Sequence, residues 1–331
     1  MRKLAITLLV VAAAAATVVP IATAGAAKAD GGVRIVNLNL LHGVFCEAES
    51  NGCQASDRVA LLAQQLEASD CPEIVGLQEI NQTLADLITK ANKKLCDGKY
   101  EIVFKTPPKG IDTERVLTTL PVKSTKVIKL SGNFRTASRA VLKSPAGPIA
   151  LVVTHQEGDP DVPFVGECRT CKPPCSADTS PFECQTVAAA GLSDSIAGKK
   201  VIHVLMGDFN VEPTSGRYQS LIADGWIDSY AAAGNSECVP ATGVGCTSGR
   251  DDRTIVALKD PNAKESYRID FIFVKPPGGC EIGFDTSDDA DGDGLGTGLF
   301  FATPAVDGPG GLVWTSDHTG VTADFSCASG G

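Results

Sequence analysis

Residues 201–210 read Val201-Ile202-His203-Val204-Leu205-Met206-Gly207-Asp208-Phe209-Asn210, an apolar run that ends in a carboxylate and a carboxamide. The apolar half predicts a buried β-strand, which would deliver Asp208 and Asn210 to the rim of a sheet. Sites that combine carboxylate, amide and imidazole groups are commonly assembled at such a rim. A Gly-Asp pair by itself is equally typical of a turn, so its interpretation depends on what the chain places at other strand ends.

Three other predicted strands also lead to polar residues, and one further motif precedes a strand. They are Val33–Leu40 with Asn39, Glu73–Leu77 with Glu79, Ile149–Thr154 with His155, and Ser316-Asp317-His318 before Val321–Phe325. Carboxylate and amide oxygens favour hard cations such as Mg²⁺ or Ca²⁺, and an imidazole can transfer a proton or face a phosphate. Together these groups predict metal-dependent hydrolysis of phosphate esters.

One carboxylate is predicted to lie inside a strand rather than at its end. Asp270 belongs to the apolar run Ile269–Val274, within a strand predicted for Tyr267–Val274. A buried carboxylate is costly in free energy unless a partner faces it, so we expect Asp270 to have a hydrogen-bonding or charged partner. His203 lies in the middle of its predicted strand with no polar neighbour, and we expect it to be a core histidine.

Apolar residues with helical spacing separate several of the predicted strands. Helices are predicted at Asp57–Ala68, around Leu84–Leu95 and at about Cys184–Ile196. The middle of the chain is rich in strands, whereas residues 276–311 are rich in Gly, Pro and Asp and are predicted to be one long loop. This alternation of strands and helices predicts an α/β domain.

The first residues of the chain have the features of an export signal. A basic start precedes the apolar run Leu4–Val19, and Ala27-Lys28-Ala29 is a small-x-small cleavage site. The alternative is an uncleaved membrane anchor, but the run is shorter than the roughly 20 residues that span a bilayer. We therefore expect a signal peptide at residues 1–29, a domain with Cys-rich insertions at residues 30–331, and a secreted protein without stable membrane insertion.

The exported part is acidic and rich in cysteine. Removal of three cationic residues with the signal takes the formal net charge from −10 to −13. Such a surface gives no general attraction to phosphate backbones, although bound cations can reverse the potential locally. All twelve Cys lie beyond residue 29, and disulfides are expected in an exported protein. The alternative is a zinc site at Cys168, Cys171, Cys175 and Cys184.

An acidic stretch near residue 290 has two interpretations. Asp289, Asp291, Asp293 and Gly294 have the spacing that begins an EF-hand loop, but the twelfth position is Phe300 rather than Glu. The first interpretation is a structural Ca²⁺ at Asp289, Asp291 and Asp293. The second is a solvated acidic loop.

Taken in chain order, the motifs resemble those of the endonuclease/exonuclease/phosphatase superfamily, which includes DNase I-like nucleases, inositol polyphosphate phosphatases and bacterial sphingomyelinases. The stretches that carry the resemblance are Arg34–Asn39, Ile74–Glu79, Val153–His155, Met206–Asn210, Arg268–Ile272 and Ser316–His318. The resemblance covers nearly the whole mature chain. It implies a four-layer α/β sandwich, in which two mixed β-sheets pack face to face with helices outside.

The resemblance also implies roles for individual residues. Those implied to hold the metal, Mg²⁺ or else Mn²⁺ or Ca²⁺, are Asn39, Glu79 and Asp317. Those implied to act on water and phosphate are Asp208, Asn210, His155 and His318, with Asp270 orienting His318. A looser match nominates Arg139 for a phosphate contact.

Three functions are left open by the sequence. The first is an exported metal-dependent phosphodiesterase, with nucleic acid ahead of phospholipid (as in the sphingomyelinases) as its substrate. The second is a phosphomonoesterase for small phosphorylated compounds. The third is a disulfide-stapled binding module, which the complete set of ligands and histidines disfavours. No segment has the interleaved basic and aromatic residues that grip nucleic acid, and the sequence identifies no protein partner.

Overall fold

The computed structural model describes residues 32–104, 112–131, 135–158, 175, 180–286 and 296–329. The predicted signal peptide, the predicted calcium loop with Asp289, Asp291 and Asp293, and most of the Cys-rich insertion after His155 lie outside these residues. Within the described ranges, no helix has the length and apolar character needed to cross a bilayer.

Seven strands form the first β-sheet. They are β1 (Val33–Asn39), β2 (Ile74–Gln78), β3 (Glu101–Val103), β4 (Arg115–Thr118), β11 (Cys280–Phe284), β12 (Gly298–Phe300) and β13 (Gly320–Ser329). Their order is β11-β13-β1-β2-β4-β3, and β12 pairs with β13. The sheet is mixed, because β1 and β2 are parallel while the other pairs are antiparallel.

Six strands form the second β-sheet. They are β5 (Val122–Lys129), β6 (Thr136–Ser144), β7 (Gly147–His155), β8 (Ile202–Asp208), β9 (Ile227–Asp228) and β10 (Asp270–Lys275). Their order is β5-β6-β7-β8-β10-β9, with β7 and β8 parallel and the other pairs antiparallel. Both sheets therefore have a parallel pair flanked by antiparallel strands.

The described residues form six α-helices. They are α1 (Asn51–Ala68), α2 (Gln82–Ala91), α3 (Pro181–Asp194), α4 (Gly216–Ala223), α5 (Ser229–Ala232) and α6 (Ile255–Lys259), with short 3-10 helices at Ala48–Ser50, Leu95–Gly98 and Pro309–Gly311. One apolar core lies between the sheets, a second joins the first sheet to α1 and α2, and a third joins the second sheet to α3 and α4. The result is the predicted four-layer α/β sandwich.

Strand β1 shows why the central strands carry apolar residues on both faces. Val33 and Ile35 pack into the core between the sheets, whereas Val36 and Leu38 pack on the side of α1 and α2. Successive side chains of a strand point to opposite faces, so a strand covered on both faces needs apolar residues at nearly every position. The amide of Asn37 is accommodated in the core by a hydrogen bond from Gln78 at 2.8 Å.

The predicted strands and the three predicted helices all have counterparts in the structure, but the later part of the chain differs. The segment 276–311, predicted as one long loop, contains β11 and β12. Both strands are short and each contains a Gly, so their composition conceals the pairing that β13 imposes on them. The helices α4, α5 and α6 were not predicted, because they are too short to show a helical period.

Ten cysteines of the described residues form five disulfides. The pairs are Cys46–Cys53, Cys71–Cys96, Cys175–Cys184, Cys238–Cys246 and Cys280–Cys327. The Cys175–Cys184 bond removes two of the four thiolates that the alternative zinc site requires, so that alternative is wrong.

The topology brings many chain segments to one edge of the sandwich. Strands β1, β2, β7 and β8 end at this edge, and their antiparallel neighbours β4, β6, β10 and β13 begin there. Gly207 is required at the edge by its close approach to β7, since a Cβ at this position would lie 1.8 Å from the carbonyl oxygen of Thr154. Its φ of 151° also disfavours other residues.

Candidate active site

Asp208, the last residue of β8, lies at the centre of a polar cluster on this edge. Its Oδ2 accepts a hydrogen bond from Nδ2 of Asn39 at 3.0 Å, and the same Nδ2 donates to Oε1 of Glu79 at 3.0 Å. The amide oxygen of Asn39 accepts a hydrogen bond from the backbone N–H of Leu41 at 3.1 Å. The amide nitrogen of Asn39 therefore donates to both Glu79 and Asp208. A 180° rotation of the amide group would turn its oxygen toward these two carboxylates instead.

His318 has a partner at each ring nitrogen. Nδ1 lies 2.8 Å from Oδ2 of Asp270, and Nε2 lies 3.3 Å from Oγ of Ser248. Burial by itself would lower the pKa of His318, but the charges of Asp270, Asp317 and Asp208 raise that pKa well above its usual value. Burial raises the pKa of Asp270 to about 6, against the opposing effect of the His318 charge. At neutral pH the pair is therefore an imidazolium and a carboxylate.

His155, at the end of β7, forms a second pair with a carboxylate. Its Nδ1 lies 3.1 Å from Oδ2 of Asp112 and 2.8 Å from Nη1 of Arg135, which itself pairs with Asp112. Its Nε2 lies 3.0 Å from Nδ2 of Asn210 and 3.4 Å from Oδ2 of Asp208. Burial would lower the pKa of His155, but the charges of Asp112 and Asp208 raise it. Two imidazoles thus face Asp208 from either side.

Glu79 and Asp317 are two largely buried carboxylates that interact electrostatically. The backbone N–H of His42 donates to Oε2 of Glu79 at 2.8 Å, and Oγ of Ser316 donates to Oδ1 of Asp317 at 3.0 Å. Burial raises the pKa of Asp317, and the charge of Glu79 adds to this increase while His318 opposes it. Burial would also raise the pKa of Glu79, but the neighbouring histidines lower it.

These two carboxylates fit a divalent cation. Both present hard oxygens, and a cation between them would relieve the repulsion that contributes to the raised pKa of Asp317. A second group has metal-like spacing, since one atom of each of Asp208, Asp270 and His318 lies within 4.8 Å of the others. Nδ1 of His318 is committed to Asp270, so this second group is better described as a hydrogen-bonded pair beside Asp208.

Two residues of the cluster have unusual backbone conformations. Glu79 has a φ of 61° and Asn210 has a φ of 52°, both in the left-handed region that residues other than glycine rarely adopt. The backbone N–H of Asn210 donates to Oδ1 of Asp208 at 2.8 Å, which holds the turn closed. Strained conformations of this kind persist where the surrounding structure fixes a side chain in a required direction.

The cluster forms the floor of a cleft of about 330 Å³. In addition to the charged groups, the cleft is lined by Phe45, whose side chain is 64% exposed. The ring of Phe45 contacts His42 edge to face, with centroids 5.3 Å apart, and the Cys46–Cys53 disulfide fixes the loop behind it. An exposed aromatic ring is thus held at the mouth of a polar cleft.

The structure brings together eight of the nine residues that the sequence nominated. They are Asn39, Glu79, His155, Asp208, Asn210, Asp270, Asp317 and His318. Arg139 is the exception, and its nomination as a phosphate contact is wrong. Its guanidinium donates to Oγ of Ser195 at 2.7 Å beside the end of α3, because Arg139 lies inside β6, about 10 Å of strand from the edge.

Sequence reasoning missed several residues that line the cleft, among them His42, Asp112, Arg135 and Ser248. Arg135 precedes β6 and lies at the edge, where its side chain lines the cleft that Arg139 does not reach. The position of Arg135 before the strand was a usable signal. Nothing in the local sequence distinguishes Asp112, His42 or Ser248 from ordinary loop residues.

Comparisons with known proteins agree with this geometry. A model of the endonuclease/exonuclease/phosphatase family matches residues 36–318. A comparison with curated proteins found no significant match.

Several solved structures share the fold. TDP2 from D. rerio, complexed with single strand DNA product, is 17% identical with a TM-score of 0.60, covering 90% of this chain and 100% of that one. The human nocturnin catalytic domain with bound sulfate anion is 17% identical with a TM-score of 0.57, and the match covers 90% of this chain and 94% of that one. An endonuclease/exonuclease/phosphatase from Bacteroides vulgatus is 17% identical with a TM-score of 0.58, and the match covers 90% of this chain and 99% of that one. At these identities the likeness concerns the fold.

Proposed function

Because this chain belongs to the endonuclease/exonuclease/phosphatase family, we propose that it is an exported, divalent-metal-dependent phosphodiesterase. One observation carries the proposal: two imidazoles, each paired with a carboxylate, face Asp208 in the same cleft as Glu79 and Asp317. Nε2 of His155 lies 3.4 Å from Oδ2 of Asp208, and Nε2 of His318 lies 3.9 Å from the same oxygen. This arrangement provides acid–base groups around the place where a phosphoryl group would bind.

Glu79 and Asp317 would hold the cation, and Asn39 would join them if its amide oxygen turned toward the carboxylates. When bound, Mg²⁺, Mn²⁺ or Ca²⁺ would neutralise charge on the phosphoryl oxygens and polarise the ester. The hydrogen bonds from Ser316 to Asp317 and from the backbone of His42 to Glu79 fix both carboxylates in place. Each of these carboxylates retains a lone pair for the cation.

The remaining residues would act on water and phosphate. Asp208 is placed to orient or deprotonate the attacking water. Asn210 and His155 are placed to donate hydrogen bonds to phosphoryl oxygens, and His318 as an imidazolium would stabilise the negative charge that develops there. Asp270 accepts a hydrogen bond from Nδ1 of the His318 ring and fixes its orientation, which leaves Nε2 facing the cleft.

Nucleic acid is the substrate class that we favour. The exposed ring of Phe45 at the mouth of the cleft supports this choice, because nucleobases stack on such rings. The likeness to TDP2, whose D. rerio structure contains single strand DNA product, is consistent with it. The formal net charge of −10 opposes tight binding of a polyanion, so contacts near the scissile bond would have to dominate.

A panel of assays tests the proposed function. The purified protein would be incubated with Mg²⁺, Mn²⁺ or Ca²⁺ and with plasmid DNA, RNA, sphingomyelin, a generic phosphodiester and a phosphomonoester. We expect cleavage of the diesters, with nucleic acid preferred. Preference for the monoester or for sphingomyelin would replace the substrate assignment, and no turnover with any metal would favour a non-catalytic binding module.

Phe45→Ala should weaken binding of a short single-stranded DNA about 5- to 150-fold, the loss expected when one stacked base is released. Phe45→Trp should retain binding, and Val44→Ala on the adjacent exposed residue serves as the matched control. The dissociation constants can be measured by fluorescence anisotropy in EDTA, so that no divalent cation supports cleavage of the DNA. Unchanged DNA binding in Phe45→Ala, together with reduced binding to sphingomyelin vesicles, would assign the ring to a lipid surface instead.

A further inference from the structure

Arg250 lies beside the catalytic cleft, yet almost none of it is accessible. Its side chain is 4% exposed and borders the cleft on one side and a larger cavity of about 520 Å³ on the other. Its Cζ lies 3.8 Å from the ring centroid of Trp314, and Nη1 lies 2.8 Å from Oε1 of Glu265. A guanidinium fixed in this way is poorly placed to reach out to a substrate.

The guanidinium also donates to the chain segment that carries His318. Nη1 donates to the backbone oxygen of Ser316 at 3.4 Å, and Nη2 donates to Oγ1 of Thr319 at 3.0 Å. These two acceptors lie on either side of Asp317 and His318. The planar fork of arginine can reach both acceptors and Glu265 at once, which a lysine ammonium cannot do.

The chain around Arg250 also contacts the partner of His318. The hydroxyl of Thr247 accepts a hydrogen bond from the backbone N–H of Asp270 at 3.2 Å, and the backbone oxygen of Thr247 accepts one from Thr319 at 2.9 Å. Ser248 lies 3.3 Å from Nε2 of His318. Residues 247–250 therefore contact both members of the His318–Asp270 pair.

From these contacts we infer that Arg250, anchored by Glu265 and Trp314, is a positioning residue that holds the Ser316–Thr319 segment so that His318 faces the scissile phosphate. The inference rests on the proposed function for its kinetic consequence, but the position of the His318 ring can be measured without substrate. Arg250 touches no reacting atom in this role. Its effect is transmitted through the backbone oxygen of Ser316 and the hydroxyl of Thr319.

The kinetic test compares Arg250→Ala, Arg250→Lys and the control Arg253→Ala, whose side chain is 81% exposed on the same loop. A displacement of a catalytic group by about 1 Å can cost roughly 10²-fold in rate, so kcat should fall about 10- to 100-fold in both Arg250 variants with little change in KM. Millimolar guanidinium should restore part of kcat to Arg250→Ala, because the larger cavity gives it access, whereas methylammonium should not. Arg253→Ala should match the wild type.

The structural test uses the imidazole ¹⁵N and N–H signals of His318, which can be assigned because the chain has four histidines. The hydrogen-bonded Nδ1–H signal should be present in the wild type and in Arg253→Ala, and should shift or disappear in Arg250→Ala. If Arg250→Ala does not fold, Thr319→Val and Thr319→Ser replace it: the valine variant should lose kcat and the signal, and the serine variant should keep both.

The outcomes separate this inference from the proposed function. If the wild type cleaves no phosphodiester, the proposed function fails and the His318 signals alone decide the role of Arg250. An Arg250→Ala protein with unchanged kcat and an unchanged His318 signal would overturn the inference. A large increase in KM with the His318 signal intact would also overturn it, because that result assigns Arg250 to direct contact with substrate.

Discussion

We expect His318→Ala to lower kcat on a phosphodiester substrate by about 10²- to 10⁴-fold, the range for loss of a positioned acid–base group. The imidazole is buried, its Nδ1 lies 2.8 Å from Asp270, and its charge is stabilised by three carboxylates. Alanine removes the group that would stabilise charge on the phosphoryl oxygens. Steady-state kinetics on a generic diester measures the effect without dependence on the larger substrate.

The matched control is His203→Ala. His203 lies in β8 outside the cleft, where its Nδ1 is 3.2 Å from Oγ of Ser193, so its loss should leave kcat unchanged. Circular dichroism should show that both variants are folded. A fully active His318→Ala protein would remove the centre of the proposed mechanism, whatever the substrate.

The pH profile gives a second measurement on the same residue. The pKa of His318 is raised, so the imidazolium is present at neutral pH and is lost as pH rises through that raised pKa. Activity should therefore fall on the alkaline side of neutrality. Asp270→Asn removes a charge that raises this pKa, and the alkaline limb should move to lower pH while kcat falls. If the alkaline limb of the pH profile stays at the same pH in Asp270→Asn, a group other than His318 causes the loss of activity.

Removal of divalent metal should abolish activity, which is the second prediction with a large expected effect. Glu79 and Asp317 are largely buried carboxylates whose mutual repulsion a cation would relieve. Dialysis against EDTA should bring turnover to background, and added Mg²⁺, Mn²⁺ or Ca²⁺ should restore it. The metal that restores the highest kcat at the lowest concentration identifies the preferred ion.

Glu79→Gln tests whether these residues hold the cation. The variant keeps the shape of the side chain but loses its charge, so the metal concentration for half-maximal activity should rise at least about tenfold, an effect comparable to that of changing groups around known metal sites. Glu101→Gln, on the exposed start of β3, is the control. Full turnover after exhaustive chelation, or the same metal requirement in both variants, would contradict the assignment.

The sequence by itself determined the central strands and an α/β domain, and its motifs carried the family resemblance that implied the four-layer architecture and most of the site. Central strands such as Val33–Asn39 are apolar on both faces because each sheet is covered on both sides, and this pattern is local enough to read. The strand ends carrying Asn39, Glu79, His155 and Asp208 were readable for the same reason. Residues that end parallel strands of one sheet meet at one edge, so their convergence followed from strand order and direction.

Only the tertiary structure decided which polar groups become partners. Asp112 reaches His155 across 43 positions, and the pairing of Asp270 with His318, 48 positions apart, was predicted from the family resemblance and not from the spacing of the residues. The nitrogen of Asn39 contacts Asp208 from the opposite sheet, 169 residues away. Such contacts depend on how the two sheets are stacked and on the direction of each side chain, and no periodicity along the chain encodes either quantity.

The choice between Arg135 and Arg139 shows the same division. Both arginines belong to one short stretch of sequence, and only their distances from the start of β6 place one in the cleft and the other beside α3. The role inferred for Arg250 likewise could not be predicted from the sequence, because its partners come from separate segments of the chain. These partners are Glu265, Trp314, Ser316 and Thr319. Local sequence fixes which residues reach an edge, whereas packing between layers fixes what each of them contacts there.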